Sequence, residues 1–255
     1  MMRDFKRVIY IDADTVTNRD LCNLLDLPLD GCCLAAVRDF GMAAAYYQNS
    51  NVHIDGRVVG INEYITSHLG LSHIDNYFNS GVLVLDIERI RILGLMDQLI
   101  SEIGKKPYWL VDQDILNIVF EGKVRFIDSR WNFLIDNNGI YHLLPPELYA
   151  SYLESSLAPN VVHFVGSAKP WLNPKVDQAY HYWRYAAKTP LYEKLLRDIR
   201  ERHPSTLNSQ KREMHPGLRS IRSSAQIIGY MLFPIGKRRR QKRKAILKFV
   251  RERRF

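Results

Sequence analysis

The chain has 255 residues, and 46% of them are hydrophobic, which suffices for one sizeable core plus an appendage. Its net charge of +9 is uneven, because residues 211–255 carry 15 Lys or Arg against two acids and leave residues 1–210 at −4. With three cysteines, no signal-like start and no apolar run of the roughly 18–20 residues that a membrane span needs, the sequence argues against a disulfide scaffold and a membrane-spanning protein, and a reducing cytoplasm is the simpler location.

Short apolar runs alternate with amphipathic segments along most of the chain. Residues 8–11 predict a strand that is buried on both faces and ends at Asp12. Asn18 is expected to cap a helix that runs to about Leu27. Further strands are predicted at 33–37, 82–85, 124–127 and 161–164, and further helices at 61–69, at 87–103 and from Asp112 to Phe120. This alternation predicts an α/β fold with a mixed or parallel sheet flanked by helices.

The C-terminal part differs in composition. From about Tyr180 the pattern is helical, and after Pro204 it is rich in Ser, Arg and Lys, so we expect a catalytic domain at 1–190 and a basic helical segment at 191–255. Apolar residues interleave with Arg and Lys in 211–255, which is typical of a helix that lies on an anionic membrane surface. A nucleic-acid contact through the same charges is disfavoured, since the segment has no recognised nucleic-acid-binding pattern. A third interpretation is that residues 211–255 form a solvated tail without a binding partner.

Polar residues stand at several predicted strand ends, where open α/β sheets bind their ligands. Asp12 and Asp14 come directly after the first strand, and two carboxylates one residue apart can reach the same hard cation. Such a cation suits a diphosphate leaving group, because it neutralises the charge that develops as the bond breaks. Taken alone, such a pair is more often part of a turn or a helix cap than a metal site.

A second chemical reading of the same residues is open. Asp12-Ala13-Asp14-Thr15-Val16 also fits the opening motif of haloacid-dehalogenase-type phosphatases, with Asp12 as the nucleophile. That reading requires a downstream acidic motif, and the sequence has no convincing one.

Four blocks in fixed order carry a resemblance to a known family. They are Tyr10 to Asp14, Asn76 to Leu85 (NYFNSGVLVL), Asp112 to Asn117 (DQDILN) and His163 to Trp171 (HFVGSAKPW). Together they resemble glycosyltransferase family 8, and most of all its bacterial lipopolysaccharide and lipooligosaccharide glucosyl- and galactosyltransferases. The segment Arg130-Trp131-Asn132-Phe133 is similar to that group as well, and the likeness covers about residues 5–185.

The resemblance implies an incomplete GT-A-type domain and a retaining transferase that moves a hexose from a UDP-sugar to a saccharide or lipid-linked glycan. Asp12, Asp14 and His163 would bind Mn²⁺ (or Mg²⁺). Lys169 would meet the diphosphate, and Gly166 would let the backbone approach it closely. Such an enzyme would be cytoplasmic and peripheral on the inner face of the cell membrane.

The two middle blocks would then hold the donor sugar. Asn79 would bind the sugar or face the reacting centre, Gly81 would leave room beside it, and Asp112 and Gln113 would bind hydroxyls beside the anomeric carbon. Asp112 is equally a good residue for the first turn of a helix. Asp39 could meet the donor sugar or the acceptor, although its match is poor. Since an amide is a poor nucleophile, we favour entry of the acceptor on the face that the diphosphate leaves, with the Gln113 carbonyl stabilising positive charge.

The start of the chain departs from the resemblance, which implies a nucleotide-binding unit before the Asp-x-Asp strand. Only 11 residues precede Asp12. We therefore expect a truncated or mis-started reading frame, or a separate N-terminal chain, weak binding of UDP-sugar by this chain alone, and an unpaired sheet edge beside residues 8–11. A non-catalytic remnant that only docks to a membrane or partner is a further hypothesis. Glucose against galactose, the acceptor, the linkage and the oligomeric state are left open.

Overall fold

The computed structural model describes residues 5–202. It divides into two compact units, one ending at Val165 and the other beginning at Gly166. The boundary expected at 190 rests on composition and stays a prediction, and the basic segment 211–255 lies outside the described residues. No helix within 5–202 is long and apolar enough to cross a bilayer.

The first unit contains nine strands and seven α-helices in its described part. The strands are β1 Arg7–Ile11, β2 Thr15–Thr17, β3 Leu34–Arg38, β4 Asn51–Ile54, β5 Arg57–Gly60, β6 Phe78–Asp86, β7 Val124–Phe126, β8 Phe133–Leu134 and β9 Val161–His163. The helices are α1 Cys22–Leu25, α2 Phe40–Tyr47, α3 Ile61–Glu63, α4 Ile87–Ile92, α5 Leu95–Glu102, α6 Val111–Phe120 and α7 Pro146–Leu157. A π-helical turn, Tyr64–His68, continues α3, and a 3₁₀ turn, Ser129–Asn132, precedes β8.

The main sheet has four strands in the order β1-β6-β3-β7. β6 runs antiparallel to both β1 and β3, whereas β3 and β7 are parallel, so the mixed sheet predicted from the sequence is confirmed. β6 is the buried centre, and its residues Phe78 to Val84 are all inaccessible. Two hydrophobic clusters lie on opposite faces, because side chains alternate along a strand: Leu83 belongs to one, and Val82 and Val84 to the other.

β1 is only half-buried, and the prediction of a strand buried on both faces is wrong. It pairs with β6 alone among the described strands, and Tyr10 is 45% exposed. A short β-branched run reads the same whether one face or two are covered, which is why the pattern misled. The expected sheet edge beside residues 8–11 is present in the described part of the chain.

Three further expectations about local structure need correction. Asn18 caps no helix: its side chain donates to the Pro159 carbonyl (2.9 Å), and α1 begins four residues later. The long helix expected at 87–103 is two helices, because Gly94 adopts a left-handed conformation (φ 63°) between α4 and α5. The strand predicted at 82–85 is longer and begins at Phe78, so residues 79–81 lie inside β6.

A smaller sheet, in the order β2-β9-β8, completes the first unit. β2 pairs antiparallel with β9 so that Thr15 lies opposite His163. In the second unit, α8 (Ala179–Ala186) and α9 (Tyr192–Arg202) pack through a cluster around Trp183. The helical character expected from about Tyr180 is thus confirmed for the described residues.

Candidate metal and sugar site

The two acids of the first block and His163 converge in the first unit. His163 Nε2 lies 3.1 Å from Asp14 Oδ1 and 3.5 Å from Asp12 Oδ2. One ligand atom from each of the three residues can be chosen so that all lie within 4.8 Å of one another. Neighbouring ligands of an octahedral cation with bonds of about 2.1 Å stand roughly 3 Å apart, so this donor set fits a divalent ion.

Backbone pairing brings these residues together. The Asp12 amide continues the β1–β6 ladder by donating to the Gly81 carbonyl (2.9 Å), and the Phe164 amide donates to the Asp14 carbonyl (3.0 Å). The Thr15 hydroxyl donates to the Asp12 carbonyl (2.8 Å) and stabilises the turn between them. The turn is therefore held on one side by the central strand and on the other by β9.

His163 is nearly inaccessible (3% exposed) and is held by a residue that the sequence did not single out as functional. Its Nδ1 lies 3.0 Å from the Asn132 side-chain oxygen. Asn132, which is fully buried, donates its amide to Asn79 Oδ1 (2.8 Å). Asn132 was noted only as part of a family block, and its contacts depend on how the chain folds.

Gly81 has a structural role beside His163. A Cβ at this position would lie closer than 3.0 Å to both Cε1 and Nδ1 of the imidazole, and 2.9 Å from Asn79 Oδ1. The histidine ring therefore occupies the space that a side chain at residue 81 would need. The substrate contact expected of Gly81 stays a prediction, while the requirement for glycine follows from His163.

A buried polar network joins Asp39, Asn79 and Gln113, each of which is 7% exposed. Asp39 Oδ2 accepts from Asn79 Nδ2 (2.9 Å) and from Gln113 Nε2 (3.0 Å), while Oδ1 caps α2 by accepting from the Met42 amide (2.9 Å). The Gln113 carbonyl oxygen accepts from Asn79 Nδ2 (3.1 Å) and from the Ser80 amide (3.0 Å). Asp39, whose sequence match to the family was poor, is thus hydrogen-bonded to two residues whose matches were better. The network fixes the side chains of all three residues.

Asp112 is exposed and lies in the first turn of α6, the helix that also carries Gln113. α6 begins at Val111, whose φ of 29° is an uncommon left-handed value for a β-branched residue. A hydrogen bond to Asp12 (2.7 Å), followed by burial and the charges of Asp12, Asp112 and Asp14, raises the pKa of Tyr10 to about 12. Asp112 therefore lies close enough to Tyr10, two residues before Asp12, for its charge to act on that side chain.

Asp114 anchors the helix that carries Asp112 and Gln113. It is fully buried and accepts from the hydroxyls of Tyr64 and Tyr77 (both 2.6 Å) and from the Leu110 amide (2.7 Å). Burial, together with the Asp114 charge and hydrogen bond, raises the pKa of Tyr77 well above 10. The Asp-Gln-Asp block contained this residue, but nothing in the sequence identified its partners.

Gly166 and Lys169 belong to the second unit. Gly166 has a φ of 56°, which favours glycine, and Lys169 Nζ lies 5.9 Å from the centre of the Trp171 ring. Their expected contacts with a diphosphate stay predictions.

Comparison with known proteins places the chain among glycosyltransferases. A lipopolysaccharide 1,2-glucosyltransferase of Escherichia coli K12 is 27% identical over 217 residues, which are 82% of this chain and 56% of that protein. The apo structure of the bifunctional glycosyltransferase WbbM superposes with a TM-score of 0.73 at 30% identity and covers 77% of this chain and 35% of WbbM. Galactosyltransferase LgtC, in complex with donor and acceptor sugar analogs, gives 0.54 at 25% identity, over 73% of this chain and 63% of LgtC. The chain thus spans little more than half of the length of that glucosyltransferase.

The family-level match includes every site residue predicted above. The sequence profile described as "Glycosyl transferase family 8" matches residues 1–175, and this range contains all four blocks. The phosphatase reading, with Asp12 as nucleophile, is therefore overturned. The sheet is that of a GT-A-type glycosyltransferase, as its structural neighbours are, and the chain belongs to glycosyltransferase family 8.

Proposed function

We propose that this chain is the catalytic part of a retaining transferase that moves glucose or galactose from a UDP-sugar to a lipopolysaccharide or oligosaccharide acceptor. The observation that carries the proposal is the convergence of Asp12, Asp14 and His163, which two hydrogen bonds through Asn132 connect to the Asp39–Asn79–Gln113 network. A cation site for a diphosphate beside a set of fixed hydroxyl-binding groups is what transfer from a nucleotide sugar requires. The similarity to a lipopolysaccharide glucosyltransferase and to LgtC supports the substrate class.

The three ligands favour Mn²⁺, with Mg²⁺ as the second candidate. Mg²⁺ is bound by oxygen, whereas an imidazole in the donor set suits a transition metal. Asp12, Asp14 and His163 would hold the ion, and when bound it would neutralise the charge on the leaving diphosphate. Gly166 and Lys169 would supply close backbone approach and a positive charge to the same group.

The buried network would position the donor sugar. Asn79 and Asp39 would bind its hydroxyls with Asp112, and Gln113 would lie beside the anomeric carbon, where its amide carbonyl could stabilise positive charge. The bond from the anomeric carbon to the diphosphate oxygen would break, the acceptor oxygen would bond on the same face, and its proton would pass to a leaving-group oxygen. This route needs no enzyme nucleophile, and an amide would be a poor one.

Metal binding is the most direct test. Free Mn²⁺ has a sharp electron paramagnetic resonance signal, so titration without donor gives the affinity of the site. We expect Asp14→Asn to weaken Mn²⁺ binding at least about tenfold, because it replaces one of the two carboxylates by a neutral and weaker amide ligand. Asp55→Asn, in the exposed β4–β5 turn, is the matched control. A wild-type chain that binds no Mn²⁺ would favour the non-catalytic remnant.

Membrane association through residues 211–255 is a separate part of the proposal. These residues carry a net charge of +13, and each basic residue near an anionic leaflet contributes about 1 kcal/mol. We expect the full chain to float with vesicles containing phosphatidylglycerol and a variant lacking 211–255 to remain at the bottom. Equal flotation of the two would exclude the segment as the attachment, and binding to a DNA or RNA oligonucleotide that outcompetes vesicles would favour nucleic acid.

A further inference from the structure

We propose that Asn132 is a positioning residue that fixes the orientation of His163 for the cation and couples the metal cluster to the sugar network. The metal cluster is the group Asp12, Asp14 and His163. The sugar network is the hydrogen-bonded group Asp39, Asn79 and Gln113. The inference rests on the proposed function, because it assigns to Asn132 a task at that same site. Asn132 is fully buried in the 3₁₀ turn before β8, between His163 and Asn79.

The orientation of the Asn79 amide can be deduced from groups whose chemistry admits no alternative. Asp39 is a carboxylate and accepts only, so the Asn79 atom 2.9 Å from it is the donor Nδ2. The Gly81 backbone amide donates only, so the Asn79 atom 2.9 Å from it is the acceptor Oδ1. Both neighbours give the same answer, and Asn79 therefore presents its oxygen to Asn132.

That oxygen determines the orientation of Asn132 and then the proton on His163. Asn132 must donate its Nδ2 to Asn79 Oδ1 (2.8 Å), which leaves its own oxygen facing His163 Nδ1 (3.0 Å). An oxygen in that position requires Nδ1 to carry the proton. Nε2, the atom 3.1 Å from Asp14 and 3.5 Å from Asp12, is then the ring nitrogen that remains for a cation.

The same chain of hydrogen bonds connects two sites that would otherwise be independent. Starting from His163, it runs through Asn132 and Asn79 to Asp39 and Gln113 without interruption. All of these side chains are at most 7% exposed, so water does not replace a lost partner easily. Removal of Asn132 therefore frees both the metal ligand and a residue proposed to hold the sugar.

Two substitutions separate the two tasks. In Asn132→Ala the imidazole loses its partner, and we expect Mn²⁺ affinity to fall 10- to 100-fold, the usual effect of losing such an outer partner. In Asn132→Asp the carboxylate still accepts from Nδ1, so affinity should stay within about threefold of wild type or increase. The aspartate cannot donate to Asn79, so the weak UDP-sugar binding expected of this chain should weaken further at saturating Mn²⁺. Asn138→Ala, at an exposed asparagine, is the control.

Nitrogen-15 NMR of the histidine rings reads the proton position without metal or activity. Spectra assigned with His163→Ala should show a protonated Nδ1 in wild type and in Asn132→Asp, and an Nδ1 that is protonated in only part of the molecules in Asn132→Ala. Thermal unfolding without metal shows whether each variant is folded. If Asn132→Ala does not fold, Asn132→Asp decides by itself: an unprotonated Nδ1 there, or more than tenfold weaker Mn²⁺ binding, overturns the inference.

The outcomes also distinguish this inference from the proposed function. If wild type binds no Mn²⁺, or if His163→Ala binds it as well as wild type does, the proposed metal site is wrong. If His163→Ala weakens binding while a folded Asn132→Ala binds like wild type, the metal site stands and Asn132 has no positioning role.

Discussion

Replacement of Gly81 by alanine is a minimal perturbation, a single methyl group, placed where the metal cluster and the central strand meet. The new Cβ would lie closer than 3.0 Å to two atoms of the His163 ring, and real Cβ contacts essentially never fall below that distance. The ring cannot move outward without cost, because it is 3% exposed and bonded to Asn132. Either the imidazole or the β6 backbone must therefore shift.

The cost can be estimated from the behaviour of overpacked cores. Insertion of a methyl group into a close-packed site destabilises by about 1–3 kcal/mol. For a domain of this size that corresponds to a fall in Tm of roughly 2–10 °C. A displaced imidazole also misplaces Nε2 relative to the two carboxylates, so Mn²⁺ affinity should fall at least about tenfold.

Gly60→Ala is the matched control, because Gly60 has a φ of −63° and no atom lies within 4 Å of its Cβ position. Differential scanning fluorimetry without metal gives Tm, and the paramagnetic resonance titration gives Mn²⁺ affinity for both variants. Gly60→Ala should be neutral in both assays. A Gly81→Ala protein with unchanged Tm and unchanged Mn²⁺ affinity would refute the packing argument and, with it, the placement of His163 against β6.

Three further predictions follow from buried groups. His181 is 6% exposed, and its ring nitrogens have no hydrogen-bond partner within the described residues. Burial lowers the pKa of this imidazole to about 4 in the folded chain. As the pH falls below about 6.5, the unfolded chain therefore binds a proton before the folded chain does. Stability should therefore drop as the pH falls from 6.5 towards 4, by roughly 2 kcal/mol at pH 5, and urea unfolding of His181→Phe should lack that drop. Asp114→Asn places an amide group against three hydrogen-bond donors and should lower the free energy of unfolding by about 1–3 kcal/mol. Tyr77→Phe removes only one of these donors and should lower it less. Equal stability of Asp114→Asn and wild type in urea unfolding would contradict the anchoring role. Gln113→Glu sets a second buried carboxyl group against Asp39, so the pKa of the new group should rise in the folded state. Compared with wild type, the free energy of unfolding of this variant should be least affected below about pH 4 and should fall as the pH rises. A loss on the order of 2 kcal/mol at pH 7 is expected, against little change for exposed Gln98→Glu.

The sequence predicted the site better than it predicted the strands and helices around it. The four blocks pointed to Asp12, Asp14 and His163 as one group, and the structure brings them together although about 150 residues separate the first from the last. The burial of β1 on both faces and the unbroken helix through Gly94 were mispredicted, because apolar spacing alone reports neither the number of covered faces nor a left-handed residue inside a helical pattern.

Contacts between the blocks could not be predicted at all. Asn132 and Asn79 are 53 residues apart, and Gly81 meets His163 only because β2 pairs with β9 in one particular register. A glycine in a strand signals close approach by something, and the structure shows that the approaching group is the histidine. Which amide faces which neighbour is a property of the folded chain that no local pattern contains.

The metal cluster and the sugar network lie next to each other because of the register of β6. Asn79 and Gly81 are two residues apart on one strand, so they share a face: one joins the amide network and the other makes room for His163. On the neighbouring strand, Ile11 pairs with Val82, and this pairing delivers the Asp12 amide to the Gly81 carbonyl. A slip of one residue between β1 and β6 would turn the side chains of the displaced strand to the other face, and the acids would leave the histidine. The buried apolar run after Gly81 therefore serves the site as well as the core, because it is what makes that slip costly.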